Sequence, residues 1–121
     1  KWDQLFLCQC LEFLKKFIEV VDKFISKPDV GIDFIAMELS MSRSKLYSKV
    51  KVLTNKTIVE FIRSYRLRKA AKLLIENGLT VMEAMDEVGI ESASYFSRAF
   101  KTEFGETPSS FVARMRGNQM I

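Results

Sequence analysis

The stretch SASYFSRAFKTEF, residues 92–104, has the pattern of an amphipathic helix that follows a tight turn. Its apolar residues recur at i, i+3, i+4 and i+8, which places them on one face of a helix: Phe96, Ala99, Phe100 and Phe104. The opposite face carries small polar and basic side chains and no carboxylate. A short predicted helix at 80–88, ending at a glycine, comes first. This order is typical of a helix-turn-helix unit, whose second helix enters the DNA major groove.

The same arrangement occurs a second time, nearer the start of the chain. A short predicted helix at 32–39, the turn Ser-Met-Ser and a predicted helix at 43–53 align with the first stretch at an offset of 49, or of 50 after the turn. The outward residues correspond and include no acid: Ser44, Tyr47, Ser48 and Lys51 align with Ser94, Ser97, Arg98 and Lys101. This internal repeat predicts two helix-turn-helix units in one chain.

The remaining elements are predicted from helix periodicity and capping residues. We expect an all-α fold of about seven helices, with two helix-turn-helix subdomains joined by a long central helix. The predicted helices occupy residues 13–26, 32–39, 43–53, 58–76, 80–88, 92–104 and 109–116. Side chains expected to cap them are Ser42, Thr57 with Glu60, Thr80 with Glu83, and Thr107 before Pro108.

These elements define a predicted domain organisation. Residues 1–12 are a linker or helical extension from an upstream domain, 13–56 are the first subdomain, and 57–77 are the connecting helix. The second subdomain follows at 78–116, with a tail at 117–121. The chain begins with Lys1 rather than methionine, so we expect it to be part of a longer protein.

The predicted first helix has an unusually wide apolar arc. One stripe follows heptad-like steps, at Leu7, Leu11, Leu14, Ile18, Val21 and Ile25. A second stripe lies beside it, at Phe13, Phe17, Val20 and Phe24. So wide an arc favours a packed core helix over a coiled coil, which needs three or more heptads. Whether residues 1–12 also pair two chains stays open.

Composition excludes several classes of function. The chain has 121 residues, 48% of them hydrophobic, two cysteines and no histidine. Without histidine there is no Ser/His or Cys/His nucleophile pair, and Cys8 with Cys10 supplies too few ligands for zinc. We predict neither an enzyme nor a bound cofactor or metal. There is no run of the ~20 apolar residues that cross a bilayer and no signal peptide, which predicts a cytoplasmic protein.

The charge of the chain is concentrated in its centre. The whole chain carries +4, whereas residues 43–72 contain ten lysines and arginines and one acid, Glu60. A basic centre between acidic flanks is expected of a protein that binds a polyanion. An ordinary solvated basic face is the alternative explanation.

With both units identified, the sequence resembles the DNA-binding domain of the AraC/XylS family of bacterial transcription regulators. The resemblance covers about residues 13–115 and is carried by MSRSKLYSKVKVLTNKTIVEFIRSYRLRKAAKLL and VGIESASYFSRAFKTEFGETPSSFV. The first of these looks most like the C-terminal output domain of a hybrid two-component sensor-regulator. Ser40 stands where the family usually has glycine. Ile90 replaces its usual phenylalanine, and Ala84-Met85 stands where a larger aliphatic residue usually precedes alanine.

The resemblance implies sequence-specific double-stranded DNA binding, with two recognition helices in successive major grooves. The implied partners are promoter DNA, RNA polymerase, upstream sensor or receiver domains of the same chain, and a second copy through the N-terminal helix. Base-reading candidates are Arg43, Ser44, Tyr47, Ser48, Ala93, Ser94, Ser97 and Arg98. Phosphate candidates are Ser42, Lys45, Lys49, Lys51, Thr57, Ile58, Ser92, Tyr95, Lys101, Thr107 and Ser109.

Two of these assignments also follow from side-chain chemistry. The planar fork of Arg98 can bond guanine O6 and N7 together, although a phosphate contact or a salt bridge to Asp86 or Glu103 is an alternative. Lysines on the two helices are expected to touch phosphates, which position a protein without specifying sequence. For the whole chain, the alternative function is a helical protein–protein interaction or dimerisation module with an incidental basic face. The operator, the regulated genes and the upstream signal are not encoded in any of these patterns.

Overall fold

The computed structural model describes residues 4–28 and 31–119, and within those ranges it contains seven α-helices and no strand. The helices are α1 (Gln4–Phe24), α2 (Ile32–Glu38), α3 (Arg43–Thr54), α4 (Ile58–Glu76), α5 (Val81–Glu87), α6 (Ala93–Phe104) and α7 (Pro108–Gln119). The predicted all-α fold with two helix-turn-helix units is confirmed. The bounds of α4 are those predicted, because Thr57 and Gly78 mark its two ends.

The chain folds as two compact units. Of the described residues, the first unit contains 4–24 and 31–62, and the second contains 25–28 and 63–119. Helix α4 therefore contributes its first turn to one unit and the remainder to the other. The segment 25–28, which directly follows α1, packs with the second unit. The domain boundaries inferred from the sequence, with α4 as a separate connector, stay a prediction.

The two terminal helices extend beyond the predicted helices at 13–26 and 109–116. Helix α1 begins at Gln4 and ends at Phe24, so residues 4–12, for which the sequence leaves a linker or a helical extension open, are helical. Helix α7 continues beyond Arg116 to Gln119, so the predicted tail is helical up to that residue. In both places the sequence has no Pro or β-branched run to stop the helix. Residues 1–3, 29, 30, 120 and 121 of the predicted linkers and tail lie outside the described residues.

In the first unit, α1 packs through side chains from both of its apolar stripes. Phe13 and Phe17 of the phenylalanine stripe are buried, and the Phe17 ring centroid lies 5.2 Å from that of Phe61 in α4. In the heptad-like stripe Leu7, Leu11 and Ile18 are exposed, whereas Val21 is buried. The buried line of α1 therefore crosses from one stripe to the other, which the wide apolar arc of the helix permits.

In the second unit, the core forms between α4 and the helix-turn-helix. Its buried members are Leu67, Ala70, Ala71, Leu74, Ala84, Met85, Val88, Ile90, Phe96 and Phe100. The ring of Phe100 also contacts Phe104 at the end of α6 and Phe111 of α7, with centroids 4.5 and 5.4 Å away. Ala84, Met85 and Ile90, the positions that depart from the family pattern, are all buried here, so these residues fill the core despite the departures.

Candidate nucleic-acid interface

Helix α3 presents a polar outer face because apolar residues hold its other side in the first unit. Leu46 and Val50, four residues apart, are completely buried. The hydroxyl of Ser42 accepts a hydrogen bond from the backbone N–H of Lys45 at 3.2 Å, which confirms the predicted N-cap. The outer face of α3, defined here as Ser44, Tyr47, Ser48 and Lys51, is exposed at every position.

Helix α6 repeats this construction in the second unit. Phe96 and Phe100 are completely buried, and the Ser92 hydroxyl accepts from the backbone N–H of Tyr95 at 3.2 Å. The outer face of α6, defined here as Ser94, Ser97, Arg98 and Lys101, is exposed throughout. Neither outer face contains a carboxylate, so both can approach a polyanion without like-charge repulsion.

The two units agree in detail beyond the outer faces. Helices α2 and α5 have seven residues each, and α3 and α6 have twelve. Both short helices end in a Schellman motif. The backbone N–H of Met41 donates to the carbonyl of Ala36 after α2, and that of Ile90 donates to the carbonyl of Met85 after α5, each at 3.0 Å. From residue 42 to 62 the pattern of buried, partly buried and exposed side chains matches that at 92–112 at every position. The repeat seen in the sequence is therefore a structural repeat.

Arg43 lies in an ion pair rather than on an acid-free surface. Its Nε is 3.2 Å from the Asp33 carboxylate of α2, and its Nη2 donates to the Tyr47 hydroxyl at 3.4 Å. The hydrogen bond to Tyr47, followed by the charge of Asp33, raises the pKa of Arg43. This pairing is not visible in the sequence pattern, because Asp33 and Arg43 are ten residues apart on different helices. Binding of Arg43 to DNA has to compete with Asp33.

Arg98 has no such competitor among the described residues. Its Nε donates only to the backbone oxygen of Ser94, one turn earlier on the same helix, at 3.3 Å. Neither alternative salt bridge forms, since Glu103 instead accepts from Ser64 at 2.8 Å and pairs with Arg68 at 3.3 Å. The exposed guanidinium of Arg98 is therefore available to an external acceptor.

The phosphate candidates differ in how accessible they are. Lys45, Lys51 and Lys101 are exposed, whereas Lys49 is partly covered and its Nζ lies 4.9 Å from the centroid of the Phe13 ring. Among the remaining candidates, the side chain of Ile58 is buried, which leaves only its backbone N–H at the start of α4. The other phosphate candidates are exposed: Ser42, Thr57, Ser92, Tyr95, Thr107 and Ser109. The base-reading candidate Ala93 is exposed as well.

The predicted caps at the starts of α4 and α7 are confirmed. Thr57 and Glu60 form a reciprocal capping box with bonds of 2.9 and 3.2 Å. The hydroxyl of Thr107 accepts from the backbone N–H of Ser110 at 3.3 Å, with Pro108 as the first helical residue. Both helix N-termini direct partial positive charge outward, as an anion requires.

One member of the basic centre at residues 43–72 is not part of an ordinary solvated face. Arg66 of α4 is partly buried and donates hydrogen bonds to two backbone carbonyls, those of Gly89 and Lys27. No local signal in the sequence marks Arg66, because both acceptors are more than twenty residues away along the chain.

None of the helices in the described ranges has the length and apolar character needed to cross a bilayer.

Comparison with known proteins agrees with this architecture. A family model described as a helix-turn-helix domain matches residues 35–114. Regulatory protein SoxS of Salmonella typhimurium is 31% identical over 104 residues, which cover 86% of this chain and 96% of that protein. A crystal structure of a transcriptional regulator from Chromobacterium violaceum, described as AraC-type, shares the fold with a TM-score of 0.77 and 22% identity, covering 84% of this chain and 90% of the other.

A longer relative shows the context in which such a domain also occurs. Histidine kinase P4 of Formosa agariphila is 36% identical over 103 residues, covering 85% of this chain. The chain spans only 8% of the length of that kinase. The family match and the SoxS similarity cover most of both helix-turn-helix units. The chain therefore belongs to the AraC/XylS family of helix-turn-helix transcription regulators, and its function is sequence-specific DNA binding for transcription regulation.

Proposed function

We propose that α3 and α6 bind two successive major grooves on one side of a promoter duplex. The observation that carries this proposal is the repeated, exposed and carboxylate-free outer face on two helices of equal length. The alternative function, a protein–protein interaction module with an incidental basic face, does not explain why the same outer face occurs on both helices. A duplex presents the same groove once per turn, which a repeated reading surface matches.

The length of α4 supports a spacing of one helical turn. With 19 residues, α4 is ~28 Å long at ~1.5 Å per residue. Together with its end turns, this length is close to the ~34 Å between successive major grooves. A somewhat shorter span would require the DNA to bend toward the protein.

Within this interface we assign base reading to the outer faces and phosphate binding to their surroundings. Arg98 is the strongest base-reading candidate, because its guanidinium is exposed and pairs with no carboxylate in the described part of the chain. Arg43, Ser44, Tyr47, Ser48, Ala93, Ser94 and Ser97 complete the proposed base-reading set. The phosphate set stays as inferred from the sequence, with Ile58 acting through its backbone alone.

The test of this proposal is the spacing between half-sites. Duplexes bound by the 121-residue chain are selected from a random library, and mutational scanning then locates the two half-sites. Inserting five base pairs between them rotates one half-site to the opposite side of the duplex, since a turn contains ~10–10.5 base pairs. We expect the affinity to fall to that of a single half-site. An unchanged affinity would contradict simultaneous binding of two grooves.

The remaining proposed partners follow from placing this domain in a longer protein, as in the histidine kinase relative. We infer that this domain is the output element of a two-component regulator in the bacterial cytoplasm, with sensor or receiver domains upstream and RNA polymerase as a contact at the promoter. Similarity to a histidine kinase over its matched segment supports this placement. The domain itself is proposed to have no catalytic role, because its family acts by binding DNA.

A second proposed interaction uses α1. The exposed apolar side chains near its start, Leu5, Leu7 and Leu11, favour a second copy of the chain as partner. Sedimentation equilibrium of the chain tests this, with Leu11→Glu as the variant and Met37→Glu, an exposed apolar residue of α2, as the control. A self-association that only Leu11→Glu abolishes supports pairing through α1, and a monomer at all concentrations contradicts it.

A further inference from the structure

The guanidinium of Arg66 joins three segments of the second unit. From α4, its Nη1 donates to the carbonyl of Gly89 at 3.0 Å and its Nη2 donates to the carbonyl of Lys27 at 3.1 Å. Gly89 lies in the turn between α5 and α6, and Lys27 lies in the segment that follows α1. One side chain therefore fixes the turn of the helix-turn-helix against two neighbouring parts of the unit.

The turn and the segment 25–28 are also in unusually close backbone contact. Gly89 has a φ of +74°, and a Cβ at this position would collide with the carbonyl oxygen of Ile25 and lie 3.1 Å from Ser26. Only glycine permits both the left-handed backbone and this approach. Since Gly89 lies only four residues before Ala93, the first residue of α6, its placement also constrains where α6 begins.

The corresponding turn in the first unit has no such clamp. Ser40 occupies the equivalent left-handed position, with a φ of +55°, and is exposed. Among the described residues, no side-chain hydrogen bond ends on its carbonyl. The Schellman closure alone is therefore sufficient to form the turn. The additional bonds of Arg66 in the second unit are not needed to make a helix-turn-helix.

The clamp is held at an energetic cost. The Nε of Arg66 is buried and has no hydrogen-bond partner in the described structure. Burial lowers the pKa of Arg66 below its ordinary value, and this effect outweighs the opposing electrostatic effect of the nearby Tyr95 of α6. A partly buried cation with one unsatisfied donor is destabilising unless its other bonds compensate. Arg66 therefore destabilises the fold in this respect, and it lies near Tyr95 in the first turn of α6. A side chain that only fills the core would not need this charge.

We propose that Arg66 is a positioning residue for DNA recognition, which orients α6 by clamping the α5–α6 turn to the segment after α1. The inference rests on the proposed role of α6 as a reading helix. Arginine is required because its rigid fork reaches two carbonyls that point from different segments, whereas lysine has a single ammonium group. The two donors thus hold two segments in one fixed relation.

The experiment compares discrimination at the two half-sites of a selected duplex. The probes are the duplex selected with the unaltered chain and two versions in which either half-site is scrambled. Arg98→Ala first identifies the half-site that α6 reads. We expect Arg66→Lys to reduce discrimination at that half-site by about tenfold, comparable to the loss of one base contact, and to leave the other half-site unaffected. Lys72→Met, an exposed position on α4, is the control.

Folding is monitored in the same variants so that a loss of structure is not mistaken for a loss of positioning. Each protein is assayed below its own thermal unfolding transition, and amide hydrogen exchange is measured at Gly89 and Ile90. Faster exchange confined to this turn, together with the half-site effect, supports the proposal. Arg66→Met serves as the more severe variant, with a larger loss at the same half-site expected.

The outcomes separate this inference from the proposed role of α6. If Arg98→Ala changes discrimination at neither half-site, variants at Ser94 and Ser97 are used to identify the half-site that α6 reads. If these also change discrimination at neither half-site, the role of α6 as a reader is wrong, and the positioning role fails with it. If Arg98→Ala identifies a half-site and Arg66→Lys retains full discrimination there, the positioning role alone is overturned. Equal weakening by Arg66→Lys on all three duplexes would show a merely structural residue and would also overturn it.

Discussion

Arg98 and Arg43 illustrate how the surroundings of a side chain determine its use. Both are exposed arginines on helices with polar outer faces. Arg43 is held by Asp33 and Tyr47, so a DNA contact requires exchange of one partner for another. Arg98 bonds only to the backbone of its own helix in the described structure. Of the two, Arg98 therefore has more binding energy to offer to DNA.

We expect Arg98→Ala to weaken binding to the selected duplex by ~1–3 kcal/mol, the discrimination that a bidentate base contact supplies. Binding to random DNA should change little. Competition titrations with both duplexes provide the measurement. Lys101→Ala, which removes a charge from the same outer face, is the control and should weaken both equally. An equal loss on both duplexes for Arg98→Ala would mean that its contact is to phosphate.

Ser40 and Gly89 are equivalent residues with opposite tolerance of substitution. Ser40 is a non-glycine residue with a positive φ of 55°, which costs ~1–2 kcal/mol. A glycine there would avoid this strain but would lose more backbone entropy on folding, a cost of ~0.5–1 kcal/mol. We expect Ser40→Gly to raise the free energy of unfolding by about 0.5–1 kcal/mol, measured by urea denaturation. Ser40→Ala keeps the unfavourable φ and should give no gain. A decrease for Ser40→Gly would show that the serine side chain itself stabilises the turn.

At the scale of the elements, the connection between α6 and α7 depends on one carboxylate. The Oε2 atom of Glu106 accepts from Nη2 and Nε of Arg114 at 2.7 and 2.9 Å, and its Oε1 accepts from Ser110 at 3.1 Å. These bonds connect Glu106, which lies two residues before the start of α7, with Ser110 in the first turn of that helix and Arg114 in the second. The ring of Phe111 also packs against Phe100 and Phe104 of α6, so α7 is docked by both polar and apolar contacts.

This carboxylate predicts a pH dependence of stability. The hydrogen bond from Arg114 lowers the pKa of Glu106 below its ordinary value of 4.5, and Ser110 contributes in the same direction. A carboxylate with a depressed pKa stabilises the fold above the ordinary pKa and loses this effect as the pH falls through the folded value. We expect Glu106→Gln to be less stable than the unaltered chain at neutral pH, with the difference vanishing at pH values below 4.5.

Thermal unfolding across this pH range provides the measurement. Glu76→Gln is the control, because Glu76 forms only an exposed pair with Lys72 at 3.9 Å, and such pairs contribute little. A stability difference for Glu106→Gln that stays constant with pH would show that charge on Glu106 is not the cause.

For the whole molecule, the distribution of charge matters more than its total. The net charge is only +4, yet the lysines and arginines are concentrated at residues 43–72. Several of them are committed to intramolecular contacts, as Arg66 and Arg68 are. The cations available to DNA are therefore fewer than the sequence count.

The salt dependence of binding counts those available cations. We expect the slope of log K against log salt to become shallower by about 0.9 for each phosphate contact removed. Lys45→Gln, Lys51→Gln and Lys101→Gln should each show this change on random and selected duplexes. Lys72→Gln is the control, because Lys72 pairs with Glu76 on α4. A slope that none of the three variants alters would contradict their assignment to phosphates.

Much of the architecture could be predicted from the sequence because its signals are local. The caps at Ser42, Thr57, Thr80 and Thr107 each depend on a hydrogen bond to a residue three positions away. The buried pairs Leu46 with Val50 and Phe96 with Phe100 follow from the helical period. Such short-range relations are visible in one dimension, and the repeat displays them twice.

The tertiary structure decided the features that depend on distant partners. It determined which members of the two apolar stripes of α1 are buried, because both stripes have the same helical period and only the rest of the core distinguishes their members. It brought Asp33 to Arg43, and it brought Arg66 to the carbonyls of Lys27 and Gly89, which are 39 and 23 residues away. The sequence by itself determined the helices, their capped ends and the duplicated outer faces, since these arise from interactions between near neighbours. Which cations remain available to DNA was decided only by packing, because a charge is neutralised or buried by whatever the folded chain places beside it.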